Sequence, residues 1–229
     1  VLPGYRHHVI PWRNHQDHDI HGLLARSEPH LRFTAEEERQ GQRALAELGI
    51  PEGAPFVCFH ARDSAYLDVL RGDGTWHYHD YRDSNIHDYL PAVEELSRRG
   101  YLAVRMGASV KESLKPTNPM IIDYATNGSR TDFLDIYLGA KCEFCLGDTA
   151  GIYAIPTVFR KPIAFVNYVP LGIVHSWNPY DISIPKLLWL RQEKRNLTFR
   201  QILESDIGRS LKSEHYERLG IELVDNTPE

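Results

Sequence analysis

The sequence lacks the features that mark secreted, membrane-spanning and nucleic-acid-binding proteins. Three cysteines do not make a disulfide framework for a chain of 229 residues, so a reducing compartment is expected. No apolar run approaches the roughly 20 residues that span a bilayer, and no charged-then-apolar segment opens the chain. The formal net charge of -5 argues against a sequence-independent nucleic-acid binder. We therefore expect a soluble, cytoplasmic protein that does not bind nucleic acid.

Recognisable metal-binding motifs are also lacking, although the chain has 12 histidines. Several of them crowd the first segment without the helical His-x-x-x-His spacing of zinc enzymes. These are His7, His8, His15, His18 and His21. We predict no metal site. A metal-dependent hydrolase built on His77, His79 and Asp80 is an alternative that the metal content of the purified protein would decide.

The cysteines themselves do not indicate chemistry. Cys142 and Cys145 have the spacing of a redox motif, but they enter a predicted strand rather than a helix N-terminus, so nothing there lowers a thiol pKa. Zinc would need two further ligands, and Cys58 on a neighbouring strand supplies at most one. We predict that all three are buried small apolar side chains.

What the chain does contain is an alternation of apolar runs and helical periods. Hydrophobic residues make up 42% of the chain, enough to fill a core. The pattern predicts a doubly wound, mostly parallel α/β sheet with helices on both faces. Strands are predicted at 56–59, 101–104, 120–124, 144–146 and 163–166, and helices at 34–49, 86–99, 131–138 and after Gly151.

We divide the chain into three parts. Residues 1–50 are an N-terminal connecting segment and helix, residues 51–185 are the α/β domain, and residues 186–229 are a C-terminal helical extension. Within the extension, helices are predicted at Lys186–Leu190, at Thr198–Glu204 and at Ser213–Leu219. The chain begins with Val1 in what resembles a mid-protein loop, so a fragment or a processed product is an open alternative.

A glycine-containing turn follows the fourth predicted strand and precedes a helix. It reads Gly147, Asp148, Thr149, Ala150, Gly151. Asp148 or Thr149 can cap the helix, and the free amides at a helix start suit a phosphate. We predict a phosphate or diphosphate cradle here. The alternative is a tight strand-to-helix connection without any ligand.

A second polar group ends the first predicted strand. His60, Arg62 and Asp63 follow the run Phe56 to Phe59. If the first and fourth strands flank the point where strand order reverses, these residues face the glycine turn across one crevice. Arg62 then suits the diphosphate, and Arg105 at the end of the second strand lies beside it. The alternatives are a structural ion pair for Arg62, a core position for His60 and a solvated salt bridge for Arg105.

Residues 64–85 have no apolar period but are rich in tyrosine, histidine, arginine and aspartate. Loops of about 20 residues are uncommon in compact domains and are often lids or binding loops. We predict a functional loop. The alternative is a solvated excursion whose tyrosines and tryptophan pack on the core.

Four stretches together resemble a bacterial family of glycosyltransferases from surface-carbohydrate loci. They are Phe56 to Leu67, Tyr81 to Ile86, Arg105-Met106-Gly107 and Cys145 to Tyr168. The likeness covers most of the chain from Phe33 to about Leu171. It extends to the nucleotide-binding, Rossmann-like half of GT-B glycosyltransferases, including fucosyltransferase-like and heptosyltransferase-like enzymes.

The resemblance implies metal-independent transfer of a sugar from a nucleotide-sugar to a surface polysaccharide or another glycan or lipid-linked acceptor, without a bound cofactor. It places His60, Arg62 and the segment 147–151 on the donor diphosphate, with Arg62 stabilising the leaving group. Asp63 and His79 are candidates for the general base. Two departures are the alanine between Thr149 and Gly151 and the single arginine after His60, so a GDP-fucose donor is not supported.

Three further alternatives stay open at this point. The same fold would suit a nucleotide-sugar epimerase or a polysaccharide pyruvyl transferase, which product analysis would separate from a transferase. A non-catalytic nucleotide-sugar-binding module is another, because a GT-B site lies between two domains and the sequence shows one Rossmann-like unit. The resemblance therefore implies a further N-terminal domain, and peripheral association with a membrane is open.

Overall fold

The computed structural model describes residues 19, 22–72, 74–175 and 177–227. Two sheets are formed by the described residues. The strands of the first are β1 Phe56–His60, β2 Leu102–Arg105, β3 Ile121–Ile122, β4 Cys145–Gly147, β5 Ile163–Tyr168 and β6 Ile182–Pro185. Their order is β3-β2-β1-β4-β5-β6, and all five neighbouring pairs are parallel. The strand order therefore reverses between β1 and β4.

Helices cover both faces of this sheet. They are α1 Leu23–Arg26, α2 Ala35–Glu47, α3 Ala65–Arg71, α4 Leu90–Arg98, α5 Asp132–Lys141 and α6 Ala154–Val158. The helix α2 begins with the predicted capping box. The hydroxyl of Thr34 accepts a hydrogen bond from the amide of Glu37, and the carboxylate of Glu37 accepts one from the amide of Thr34. The side chain of Thr131 caps α5 in the same position.

The alternation of side chains along the strands produces two cores. Phe56 and Cys58 of β1 point to the face covered by α2 and α5, where Tyr137 and Leu138 are fully buried. Val57 and Phe59, the alternate residues of β1, point to the face covered by α4 and its neighbouring 3-10 turn Ile86–Tyr89. Because both faces are covered, the central strands are apolar throughout.

The C-terminal part contains a second sheet, which the sequence did not predict. Its strands are β7 Leu187–Leu190, β8 Arg195–Asn196 and β9 Ile221–Val224, in the antiparallel order β8-β7-β9. The helices α7 Phe199–Leu203 and α8 Ser213–Arg218 pack with it. The third hydrophobic cluster joins this unit to Tyr81 and Val169, so the C-terminal residues pack against the carboxyl ends of the central strands.

The α/β class with a parallel sheet is confirmed, and the architecture is compatible with a Rossmann-like fold. The helix predicted at Lys186–Leu190 is wrong. A short apolar run does not distinguish helix from strand, and pairing with β9 decides for a strand. The helices predicted near Thr198 and Ser213 are confirmed, so the extension is mixed rather than helical.

Residues 64–85 are not a continuous loop as predicted, since they contain α3 and a 3-10 helix at His77–Arg82. His7, His8, His15, His18 and His21 lie outside the described residues. No helix in the described part of the chain is both long and apolar enough to cross a membrane.

Candidate anion-binding cleft

A cleft of about 570 Å³ opens at the carboxyl ends of the central strands. Its walls come from the segments that follow β1, β2 and β4. This is the place where ligands bind in open parallel sheets, because the connections diverge where strand order reverses. The segment after β1 and the glycine turn after β4 therefore line the same cleft, as predicted.

Three arginines line this cleft: Arg62, Arg82 and Arg130. Arg62 is 7% exposed and forms an ion pair with Asp83. Burial lowers the pKa of Arg62, and the charge of Arg82 lowers it further, so the two guanidinium groups act on each other. Arg130 is neutralised by ion pairs with two aspartates of α5.

Some N–H groups of these arginines lack a hydrogen-bond partner in the part of the chain that the structure describes. Nη2 of Arg62 and Nε of Arg82 are buried without a hydrogen-bond partner among the described residues. Arg82 also forms no ion pair with any residue that the structure describes, and its guanidinium lies 5.7 Å from the ring centre of Tyr81. Unsatisfied buried donors are uncommon and costly in native proteins. Nε of Arg130 is also buried without a partner among the described residues, and these donors in one cleft form a site with the chemistry of an anion receptor.

His60 presents one ring nitrogen to the same cleft. Its Nδ1 lies 3.0 Å from the carbonyl oxygen of Met106, which can only accept, so Nδ1 carries the proton. Nε2 is then the nitrogen that can meet a ligand. The ring also makes an edge contact with Tyr153 at 6.4 Å between centroids. His60 is thus half-buried and oriented by the strand beside it.

Asp148 is fully buried behind the cleft and does not cap a helix. Its Oδ2 accepts from the amide of Arg62 at 2.7 Å and from the hydroxyl of Ser84 at 2.5 Å. Burial raises the pKa of this carboxyl group. The predicted cap is therefore wrong: the N-cap position belongs to Ala150, which has no side-chain donor or acceptor. Asp148 instead fixes the backbone that carries Arg62.

Some of the remaining residues of the glycine turn pack in the core, and others line the cleft. Gly147 is buried, and a Cβ there would lie 1.6 Å from the hydroxyl of Tyr153. Thr149 donates to the carbonyl of Val169 at 3.3 Å. Ala150 and Gly151 line the cleft, and Gly151 is exposed with open space beside it. Ala150 and Gly151 can therefore approach a ligand in the cleft.

Two predicted site residues are engaged elsewhere. Arg105 is 1% exposed and donates to the carbonyl of Glu112 at 2.8 Å beside Asp123. It forms a buried structural pair rather than a ligand contact, because its guanidinium group is held by Asp123 and Glu112. Asp63 lines the cleft, but its two oxygens accept from the amides of Ala65 and Lys111 at 2.9 Å each. Nothing in this arrangement marks Asp63 as a base.

A second hollow of about 310 Å³ adjoins the cleft and shares Arg82, Ala150 and Gly151 with it. Its other walls are largely aromatic and include Tyr168 and Trp177. Aromatic walls next to cationic donors suit a planar or sugar ring attached to an anion. The turn at 150–151 lies between the two spaces.

The residues proposed for the hydrolase alternative do not converge on a metal position. His77 pairs with Asp80 at 2.9 Å, whereas His79 stacks on Trp76 with 5.6 Å between ring centres. Burial, together with Arg82, lowers the pKa of His79 to about 4, which leaves the ring neutral near pH 7. Among the described residues, the only group of three or more potential metal ligands is formed by the cysteines.

Sequence reasoning missed several residues that build the cleft. Arg130 lines the cleft and precedes α5 without any motif. Lys186, which is distant in the sequence, supports the cleft from behind by donating to the carbonyl of Asp83 at 2.6 Å. Lys186 also pairs with Asp225 at 2.8 Å. Arg82 and Asp83 lie in the stretch predicted as a functional loop, so the signal for them was its length and its charged composition.

Comparisons with protein-family models, with curated proteins and with solved structures find no match for this chain.

Proposed function

We propose that this chain is the nucleotide-sugar-binding part of a GT-B-like glycosyltransferase that acts on a surface polysaccharide or glycoconjugate. The observation that supports it is the pair of unsatisfied guanidinium donors, on Arg62 and Arg82, where the strand order reverses. A nucleoside diphosphate carries the negatively charged oxygen atoms that these donors would bind. The adjoining aromatic hollow would hold the base or the sugar.

In the proposed reaction the bond between the sugar and the donor diphosphate breaks, and the acceptor hydroxyl forms the new glycosidic bond. The negative charge that develops on the leaving diphosphate is stabilised by Arg62 and Arg82, which are already fixed in a partly water-excluded cleft. His60 lines the same cleft, and its ring is oriented by the carbonyl of Met106. The acceptor proton passes to a base that the acceptor-binding part supplies.

The non-catalytic binding module is the second candidate function. It is favoured by the engagement of both oxygens of Asp63 with backbone amides, which removes the carboxylate that the resemblance offers as a base. Sugar transfer or slow donor hydrolysis by the chain with bound nucleotide-sugar would decide for the enzyme. Tight binding with neither reaction, also in the presence of acceptor glycans, would decide for the module.

The test is a metal-free thermal-shift screen of nucleoside diphosphates and nucleotide-sugars against the wild-type chain and Arg82→Met. A ligand at 100 times its Kd stabilises a fold by about 2.7 kcal/mol, which for a chain of this size raises Tm by roughly 5–10 °C. We expect that shift in the wild type and a loss of most of it in Arg82→Met, where methionine keeps the length of the stem.

Arg82 is preferred to Arg62 as the position to change, because removing one partner of the buried pair between Arg62 and Asp83 would itself destabilise the fold. Arg98→Met is the matched control: this arginine is exposed on α4 and pairs with Glu95 on the surface, so the ligand-induced shift should be unchanged. If no diphosphate shifts the wild type, or if Arg82→Met responds like the wild type, the proposal is wrong.

A further inference from the structure

All three cysteines of the chain meet at one point of the core. Cys58 of β1 and Cys145 of β4 are register partners on adjacent parallel strands, so their side chains point to the same face about 4.8 Å apart. Cys142 follows the last turn of α5 and turns the chain toward β4. Its sulfur lies 3.6 Å from that of Cys145, and the three sulfur atoms all lie within 4.8 Å of one another.

The surroundings of the thiol cluster favour a soft cation over a hard one. The three residues are at most 4% exposed and sit in the core between the sheet and α5. In the described part of the chain, no histidine or carboxylate belongs to the group. Sulfur-only donor sets select ions such as zinc and copper(I) over magnesium or calcium.

Room for one further ligand exists beside the cluster. A small space of about 10 Å³ is lined by Cys58, Cys145 and Met106, and also by His60 and Asp135. That volume is close to the lower limit for a single water molecule. A four-coordinate ion with three thiolates and one water would therefore fit, and the described residues place no fourth protein ligand in this group.

We propose that Cys58, Cys142 and Cys145 form a three-thiolate site for one divalent thiophilic cation of the zinc class. Zinc–sulfur bonds of about 2.3 Å in tetrahedral geometry place sulfur atoms about 3.8 Å apart. The pair Cys142 and Cys145 already has this spacing, and Cys58 must close by less than about 1 Å to complete it. The ion exchanges with thiol protons, which pass to solvent, and no oxidation takes place.

The charge of the occupied site is compatible with its position. Three thiolates and one dication leave a single negative charge, and the ammonium group of Lys161 is near enough to act on both Cys142 and Cys145. Because the ion would join α5 to β1 and β4, its role is structural, and none of its three ligands lines the arginine cleft. Metal binding and nucleotide binding can therefore be tested separately.

The experiment is a titration of the reduced full chain with Cd(II) under anaerobic conditions, followed by sulfur-to-metal charge-transfer absorption. The chain has no other cysteines, so this absorption cannot come from elsewhere, and cadmium held by histidines does not produce it. We expect saturation at one ion per chain with the intensity of three thiolates. Zn(II) should raise Tm by about 5 °C or more.

Single Cys58→Ala, Cys142→Ala and Cys145→Ala variants should each lose about one third of the absorption per bound ion, since each removes one of three thiolates. Met106→Leu is the control, because it removes the neighbouring sulfur that is not a thiolate, and its absorption should equal that of the wild type. Should a cysteine variant not fold, the number of thiolates per ion in the wild type decides the question alone.

Two results would overturn the proposal. One is a wild-type chain that shows no charge-transfer absorption at one equivalent of Cd(II), both when incubated folded and when refolded with the ion present. The second is absorption that persists at full intensity in the alanine variants. In either case the three thiols are apolar core side chains.

Discussion

Replacing Gly147 with alanine should destabilise the fold strongly, whereas the same change at Gly151 should not. A Cβ at position 147 would lie 1.6 Å from the hydroxyl oxygen of Tyr153 and 2.2 Å from the carbonyl oxygen of His60. Neither neighbour can retreat cheaply, because one is backbone and the other is a fully buried ring. At Gly151 nothing lies within 4 Å of the added atom.

The magnitude follows from two effects. Overpacking of a tight core position costs about 1–3 kcal/mol. Displacing the hydroxyl of Tyr153 also breaks its hydrogen bonds to the carbonyls of His60 and Leu146, both 3.2 Å long, at about 1 kcal/mol each. Gly147→Ala should therefore cost about 3–5 kcal/mol and lower Tm by roughly 6–20 °C. Gly151→Ala should stay within about 0.5 kcal/mol of the wild type.

The assay is urea unfolding and a thermal melt of both variants, with Gly147→Ala/Tyr153→Phe as a third. In the double variant, phenylalanine removes the contact between the added Cβ and the hydroxyl of Tyr153, but the contact with the carbonyl of His60 remains. Less than half of the stability lost in Gly147→Ala should therefore return. In contrast, Gly151→Ala should weaken nucleotide binding, because its methyl group enters the space shared by the cleft and the aromatic hollow. If Gly147→Ala melts within about 2 °C of the wild type, the packing reasoning fails.

Two further predictions concern titratable groups. Burial, with Arg82 and Arg62, lowers the pKa of His79 to about 4 from 6.5, so the unfolded chain holds more protons between these values and stability is lost as pH falls through them. In the His79→Gln variant this loss of stability should be smaller by about 1 kcal/mol, after allowance for solvent screening. Urea unfolding of the wild type and the variant at about pH 7 and about pH 4.5 measures it. An equal loss of stability in the two proteins would contradict the prediction. Asp148→Asn should keep an acceptor for the amide of Arg62 and the hydroxyl of Ser84, whereas Asp148→Ala should cost about 2–4 kcal/mol more because both donors lose their partner. Equal melting temperatures for these two variants would show that the bonds do not matter.

Local sequence patterns were sufficient for five of the six strands of the central sheet, all but β6, and for the position of the cleft. Apolar runs that end at His60 and Gly147 identify strands, and their polar ends identify the edge at which a ligand would bind. Capping signals at Thr34 and Thr198 placed two helix starts correctly, because a cap depends on residues only three positions apart.

The residues that the sequence could not predict are those whose role depends on distant contacts. Lys186 contacts Asp83 across 103 positions of the chain, and no local pattern encodes such a pair. Arg105 has the same local appearance as Arg62, a charged residue just beyond a buried strand, yet Asp123 holds it in the interior. The difference is set by which loop covers the end of each strand.

The C-terminal sheet has a stronger connection with the cleft than its late position in the chain suggests. Arg62 forms an ion pair with Asp83, and Lys186 donates a hydrogen bond to the carbonyl of Asp83. Lys186 lies between the strands of the two sheets and forms an ion pair with Asp225, just after β9. Tyr81, next to Arg82, packs on Tyr216 of α8 with 5.7 Å between ring centres. Arg62 and Arg82 are thus positioned by residues beyond 185, so the C-terminal unit helps to shape the cleft.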